Sequence, residues 1–144
     1  MIPGSGANPN GISLQTARLM WIAFLCSACV IITVAHRQKT HPAPLPAASF
    51  VWGIAAVGAV DIVVMGMIRR SQLVKADDLN KRGETEASQK RWASAQLLGF
   101  AEGESIVLFG FVLSMMGARP EWLRTAFYDA GLLLLVACWP QPPQ

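Results

Sequence analysis

Hydrophobic residues along this chain gather into four long runs that are separated by shorter polar segments. The runs cover residues 19–35, 45–68, 92–116 and 123–139. Each run contains 17 to 25 residues, which suits a helix that crosses the ~30 Å hydrocarbon layer of a bilayer. A helix of this length in a soluble protein would usually carry a polar face, and these runs have none. The pattern therefore predicts an all-α membrane bundle of four transmembrane helices.

The segments between the runs complete the organisation of a single membrane domain, residues 1–144. Residues 1–18 form a leader, and its first eleven residues are rich in Gly, Pro and Asn, so we expect them to be irregular. The connection 69–91 has strong helix formers on both sides of Gly83, a residue type that commonly ends helices. This connection predicts a charged helical hairpin that extends about 20 Å beyond the membrane.

The composition agrees with this architecture and narrows the possible partners. Hydrophobic residues make up 53% of the chain and charged residues 15%, whereas about a quarter of a typical soluble domain is charged. Seven of the twelve Lys and Arg residues lie in 69–91, where acidic residues are interleaved with them. This mixture argues against a nucleic-acid-binding surface.

The distribution of Lys and Arg residues also predicts the orientation. If the connection 69–91 is cytoplasmic, eight Lys and Arg residues lie near the membrane on that side and four lie on the other. Cytoplasmic loops usually carry the excess. We therefore expect both termini to be cytoplasmic, in a bacterial inner membrane.

Four carboxylates within the predicted spans are the main candidates for chemistry. They are Asp61, Glu102, Glu104 and Asp129. A charge at the centre of a membrane helix costs at least ~2.5–3.5 kcal/mol. All four residues fall in one layer near the midplane, and no Lys, Arg or His is expected at that depth. Two interpretations remain open: a proton or cation site shared between helices, or protonated groups that hydrogen-bond to neighbouring helices.

Small residues form a stripe along the third predicted span. They are Gly99, Gly103, Gly110, Ser114 and Gly117. Small side chains at such spacing let two helix backbones approach closely, so the stripe predicts a helix-packing face. Glu102 and Glu104 flank the stripe about 200° apart on a helix, so they cannot form one carboxylate pair. Val107 is expected to tolerate replacement by Leu.

The run Glu104-Ser105-Ile106-Val107-Leu108-Phe109-Gly110 places a carboxylate before an apolar, aromatic and small sequence. In this respect the segment Leu97–Met116 resembles the second helix of the rotary ATP synthase proteolipid, subunit c. The resemblance implies that Glu104 is an ion-binding carboxylate. The chain departs from that family in its long connection 69–91 and in lacking a Gly-x-Gly repeat in the first two spans.

The sequence contains no complete catalytic, nucleotide-binding or metal-binding motif, so we expect neither an enzyme nor a bound cofactor. Two classes of function remain. In the first, the protein is an accessory or assembly subunit that lies in the lipid bilayer and packs against other transmembrane subunits or a second copy of itself. In the second, it moves protons or cations through the mid-membrane carboxylates.

Overall fold

A computed structural model describes residues 12–37 and 47–141, which fold into four α-helices. The helices are α1 (Leu14–Arg37), α2 (Ala48–Lys81), α3 (Thr85–Met115) and α4 (Glu121–Ala137). The predicted all-α fold is confirmed, and α1, α2 and α3 are each long and apolar enough to cross a membrane. Helix α4 is the shortest of the four, with 17 residues. The first eleven residues of the predicted leader and the start of the second predicted span lie outside the described residues.

Two helix ends differ from the sequence prediction. Helix α1 begins at Leu14, so the last five residues of the predicted leader are helical. The reason is local: the Ser13 hydroxyl oxygen accepts a hydrogen bond from the Thr16 backbone N–H at 3.1 Å, which is the usual way in which a serine caps a helix start. At the other end of the chain, α4 stops at Ala137, two residues before the end of the predicted span.

Helices α2 and α3 are joined in a helical hairpin. Helix α2 continues without a break through residues 69–81, and α3 begins at Thr85. Gly83 makes the turn with a φ of 82°, a left-handed conformation that glycine adopts without steric cost. The Ser88 hydroxyl donates a hydrogen bond of 2.7 Å to the Ala76 carbonyl and thereby ties the two arms together.

Helix α3 lies at the centre of the bundle, in contact with α1, α2 and α4. Half of its most apolar stretch is buried within the protein, compared with 11% for α1 and for α2. The outer faces of α1 and α2 carry exposed apolar side chains such as Leu19, Val60 and Met67. A soluble protein rarely exposes so extensive an apolar surface, whereas lipid covers it well.

Two apolar clusters hold α3 against its neighbours. In one, Val51 of α2 and Phe127 of α4 are packed with Leu113 of α3. In the other, Ala28 of α1 lies in the same cluster as Val107 of α3. The packing of α3 against its neighbours in these two clusters fixes which way its polar residues point.

Candidate functional site

Glu102 lies on the side of α3 that faces α2, and its side chain is buried, with only 3% exposed. The charges of Arg69 and Asp61, both on α2, act on the Glu102 carboxyl. Helices α2 and α3 run antiparallel from the turn at Gly83, which brings Asp61 and Glu102 to comparable distances from that turn. Two carboxylates and one guanidinium therefore lie near enough between α2 and α3 for their charges to act on one another. We call Asp61, Arg69 and Glu102 the α2–α3 polar cluster.

Glycine at position 99 makes room for the arginine. A Cβ atom at Gly99 would stand 2.9 Å from Arg69 Nε and 2.6 Å from Cys138 Sγ. Both distances are shorter than real Cβ contacts, so only glycine leaves space for the guanidinium and the thiol together. The sequence predicts no Lys, Arg or His at the depth of the carboxylates, whereas the charge of Arg69 acts on Glu102. Arg69 follows the predicted span directly, and its long side chain lies beside Gly99.

Two polar atoms in this cluster remain without partners. Among the described residues, no hydrogen bond reaches Glu102 Oε1 or Arg69 Nε, and both atoms are buried. A buried polar atom without a partner usually costs ~1–3 kcal/mol. The attraction between Arg69 and Glu102 offsets part of that cost, because opposite charges interact strongly away from water.

Glu104 points to a different neighbour. The Ser27 hydroxyl of α1 donates a hydrogen bond of 2.5 Å to Glu104 Oε1. Glu102 and Glu104 therefore face different helices, as their spacing of two residues predicts, and they do not form a pair. The Glu104 side chain is partly buried and has a hydroxyl partner at membrane depth.

Asp129 lies apart from the other carboxylates. It is the ninth of the 17 residues of α4, and its side chain is exposed on the outer surface of the bundle. Within the described part of the chain, no hydrogen bond or ion pair reaches the Asp129 carboxylate. The four predicted site residues are therefore not gathered into one site: two lie in the α2–α3 polar cluster, one faces α1 and one faces outwards.

The small-residue stripe of α3 packs against α4 within the same chain. A Cβ atom at Gly103 would stand 2.6 Å from Leu135 Cγ, and one at Gly110 would stand 2.9 Å from Tyr128 Cδ1. Ser114 is buried as well. Gly117 is the exception, because it lies in the turn after α3 with a φ of 61°, and a Cβ atom added there would have no atom within 4 Å. Its role is to turn the chain towards α4 and not to let two helices approach.

An aromatic contact that the sequence pattern did not predict ties α1 to the end of α4. The Trp21 indole N–H donates a hydrogen bond of 2.6 Å to the carbonyl of Leu135, in the last turn of α4. The Trp21 ring meets the Trp139 ring edge to face at 4.6 Å, and the Arg18 guanidinium lies 5.7 Å from the Trp139 ring centre. The Leu135 carbonyl also accepts a hydrogen bond of 3.2 Å from the Cys138 backbone N–H, so the indole uses the second lone pair of this oxygen.

The described residues contain no group of three or more His, Cys, Asp or Glu side chains that would hold a metal ion. Compared with known proteins, the chain matches no protein-family model, no curated protein and no solved structure. The resemblance of Leu97–Met116 to subunit c of ATP synthase therefore stays a prediction. The chemistry of the carboxylates and the surfaces around them are the basis for a functional proposal.

Proposed function

We propose that this chain is a non-catalytic polytopic membrane protein that serves as an accessory or assembly subunit, packing against other transmembrane helices. The observation that carries the proposal is the divergence of the mid-span carboxylates. Glu104 is bonded to Ser27, Glu102 is beside Arg69, and Asp129 is exposed on another face. A transport path needs its ionisable groups within reach of one another, whereas a packing subunit needs polar groups directed at neighbours.

A fourth membrane crossing by α4 is part of this proposal, and its position beside α3 supports it. Cys138, just after α4, meets Gly99 near one end of the apolar part of α3, and Tyr128 meets Gly110 further along. A helix that runs alongside a membrane-spanning helix over this distance occupies the same depths. Its 17 residues correspond to about 26 Å, close to the thickness of the hydrocarbon layer.

The proposed orientation has both termini and the α2–α3 hairpin in the cytoplasm of a bacterium. The eight-to-four distribution of Lys and Arg supports it. A reporter fused after Gln144 should then read cytoplasmic, and a cysteine placed at Thr40 should react only with reagents added from outside. Reaction at position 40 from the cytoplasmic side alone would reverse the orientation.

A second candidate function is proton or cation movement, and one observation favours it. Glu102 Oε1 is buried without a hydrogen-bond partner among the described residues, beside Arg69 and Asp61. An acid beside a fixed positive charge is a reasonable place for a proton to be taken up and released. On this alternative Glu102, and not Glu104, is the residue to test first.

One set of variants separates the two functions. Glu102→Gln and Glu104→Gln keep the size and hydrogen bonding of each side chain but remove the titrating proton. For an accessory subunit, the tagged chain should be recovered with partner helices after gentle detergent extraction, and both Gln variants should assemble nearly as well. Glu104→Leu, which cannot accept the Ser27 hydrogen bond, should assemble less well.

An ion carrier would give a different result with the same variants. The wild-type chain alone, reconstituted in vesicles, would conduct protons or cations, and Glu102→Gln would abolish that flux while the protein stays folded. Such a result, together with recovery of the chain without any partner, would overturn the proposed accessory function.

A further inference from the structure

The outward face of α4 carries a regular series of exposed residues. They are Trp122, Ala126, Asp129, Leu133 and Val136, and we call this series the α4 outer stripe. The spacing alternates between four and three residues, which is the spacing with which one helix packs along another in a left-handed pair. Trp122, Leu133 and Val136 are 60%, 69% and 57% exposed, and of the three only Trp122 has a ring neighbour on another described helix, Trp52 of α2 at 6.4 Å.

Asp129 makes lipid an unsuitable cover for this stripe. It lies at the middle of α4, about 12 Å from either end of the helix. Only long side chains near a helix end can extend to the membrane surface, and the short Asp side chain at this depth cannot. Within the described chain no hydrogen bond reaches the Asp129 carboxyl, and hydrocarbon offers it no partner.

We propose that the α4 outer stripe binds a transmembrane helix of another protein that carries a Lys or Arg at mid-depth, opposite Asp129. This inference rests on the proposed accessory function and specifies the chemistry of the partner. A basic residue in a membrane helix is itself costly when unpaired, so each helix supplies what the other lacks. A second copy of this chain fits less well, because a two-fold contact along the stripe places one Asp129 against another.

A synthetic peptide tests the charge pairing directly. The full chain is labelled and placed in phosphatidylcholine vesicles with synthetic Leu/Ala transmembrane peptides whose central residue is either Lys or Leu. Energy transfer measures association. We expect the Lys peptide to bind roughly fivefold to thirtyfold more tightly than the Leu peptide, the range expected for a polar contact between simple membrane helices.

Variants assign that preference to one residue. Asp129→Asn should remove the preference for the Lys peptide, and Asp129→Glu, which restores a carboxylate, should retain it. Glu121→Gln is the matched control, because it alters an exposed carboxylate of the same helix that lies outside the α4 outer stripe, and it should also retain the preference. Equal binding of the two peptides, or a preference that survives Asp129→Asn, would overturn the proposal.

Cross-linking in native membranes distinguishes this inference from the accessory function itself. A photo-reactive residue is placed at Leu133, on the α4 outer stripe, or at Val63, on the exposed face of α2. The proposal expects products at Leu133 with a different protein whose span contains a mid-depth Lys or Arg. Products at Val63 alone, or between two copies at Leu133, overturn the docking site but leave the accessory function. The absence of products at both positions contradicts both.

Discussion

The contact between α3 and α4 at Gly103 and Gly131 allows a quantitative prediction for Gly103→Ala. A Cβ atom at position 103 would stand 2.6 Å from Leu135 Cγ and 3.2 Å from the Gly131 carbonyl oxygen. Leu135 is fully buried, so its side chain has no free space to rotate into. The contact is also close in the other direction, because a Cβ atom at Gly131 would stand 2.8 Å from the Gly103 carbonyl oxygen.

The cost follows from the displacement that the new methyl group requires. An ordinary contact distance begins at 3.4 Å, so α4 has to move by close to 1 Å near Leu135. A gap of 0.5–1 Å removes a quarter to a half of the dispersion energy of the affected contacts. Overpacking of a well-packed core typically costs ~1–3 kcal/mol, and we expect Gly103→Ala to fall in this range.

Gly66→Ala is the matched control, because Gly66 also lies within a helix but has no atom within 4 Å of its Cβ position. Ala is the better helix former by ~1 kcal/mol, so this change should leave stability equal or slightly raised. Unfolding of both purified variants in mixed micelles, with rising dodecyl sulfate and tryptophan fluorescence as the signal, measures the difference. Equal midpoints for the two variants would show that α3 and α4 are not in close contact at Gly103.

Three further predictions concern individual bonds and the hairpin. Ser27→Ala removes the hydrogen bond to Glu104 and should lower the unfolding free energy by about 0.6 kcal/mol, and by no more than ~1.7 kcal/mol, in the same assay. Hydrogen bonding to Lys90 holds the pKa of Glu86 below its ordinary value of 4.5. The pair therefore stabilises the hairpin above pH 4.5, and this stabilisation is lost as the pH falls through the lowered pKa. Hydrogen exchange of the hairpin should become faster over that pH range, and Lys90→Ala should remove the pH dependence. Gly83→Ala forces a Cβ into the left-handed turn, and faster exchange at the tip of the hairpin should report a cost of ~1–2 kcal/mol.

The helices were predictable because the signals that specify them are local. Run length and the absence of charge are properties of consecutive residues, and the turn at Gly83 follows from its neighbours and from the backbone freedom of glycine. The same holds for Glu102 and Glu104, whose divergence follows from helix geometry alone. The start of α1 was missed although its signal, Ser13 three residues before Thr16, is present in the sequence.

The surroundings of the carboxylates were not predictable, because they depend on how helices pack. The position of Arg69 beside Glu102 requires the antiparallel pairing of α2 with α3 and the space at Gly99. Val107, predicted to tolerate Leu, is fully buried, and its Cγ2 atom lies 2.6 Å from where a Cβ atom at Gly131 would stand. A helical wheel shows which residues share a face but not which neighbour covers that face. Val107→Leu is therefore expected to be destabilising.

The central position of α3 has a consequence for how the protein is made. Helices α1 and α2 leave the ribosome first, yet each packs mainly on α3 and not on the other. Until the third helix enters the bilayer, the first two are joined by their short connection but have little packing to fix them against each other. A chain released after Lys81 should therefore expose its unpaired segments to membrane proteases, and its lifetime in a pulse-chase experiment should be shorter than that of the full chain.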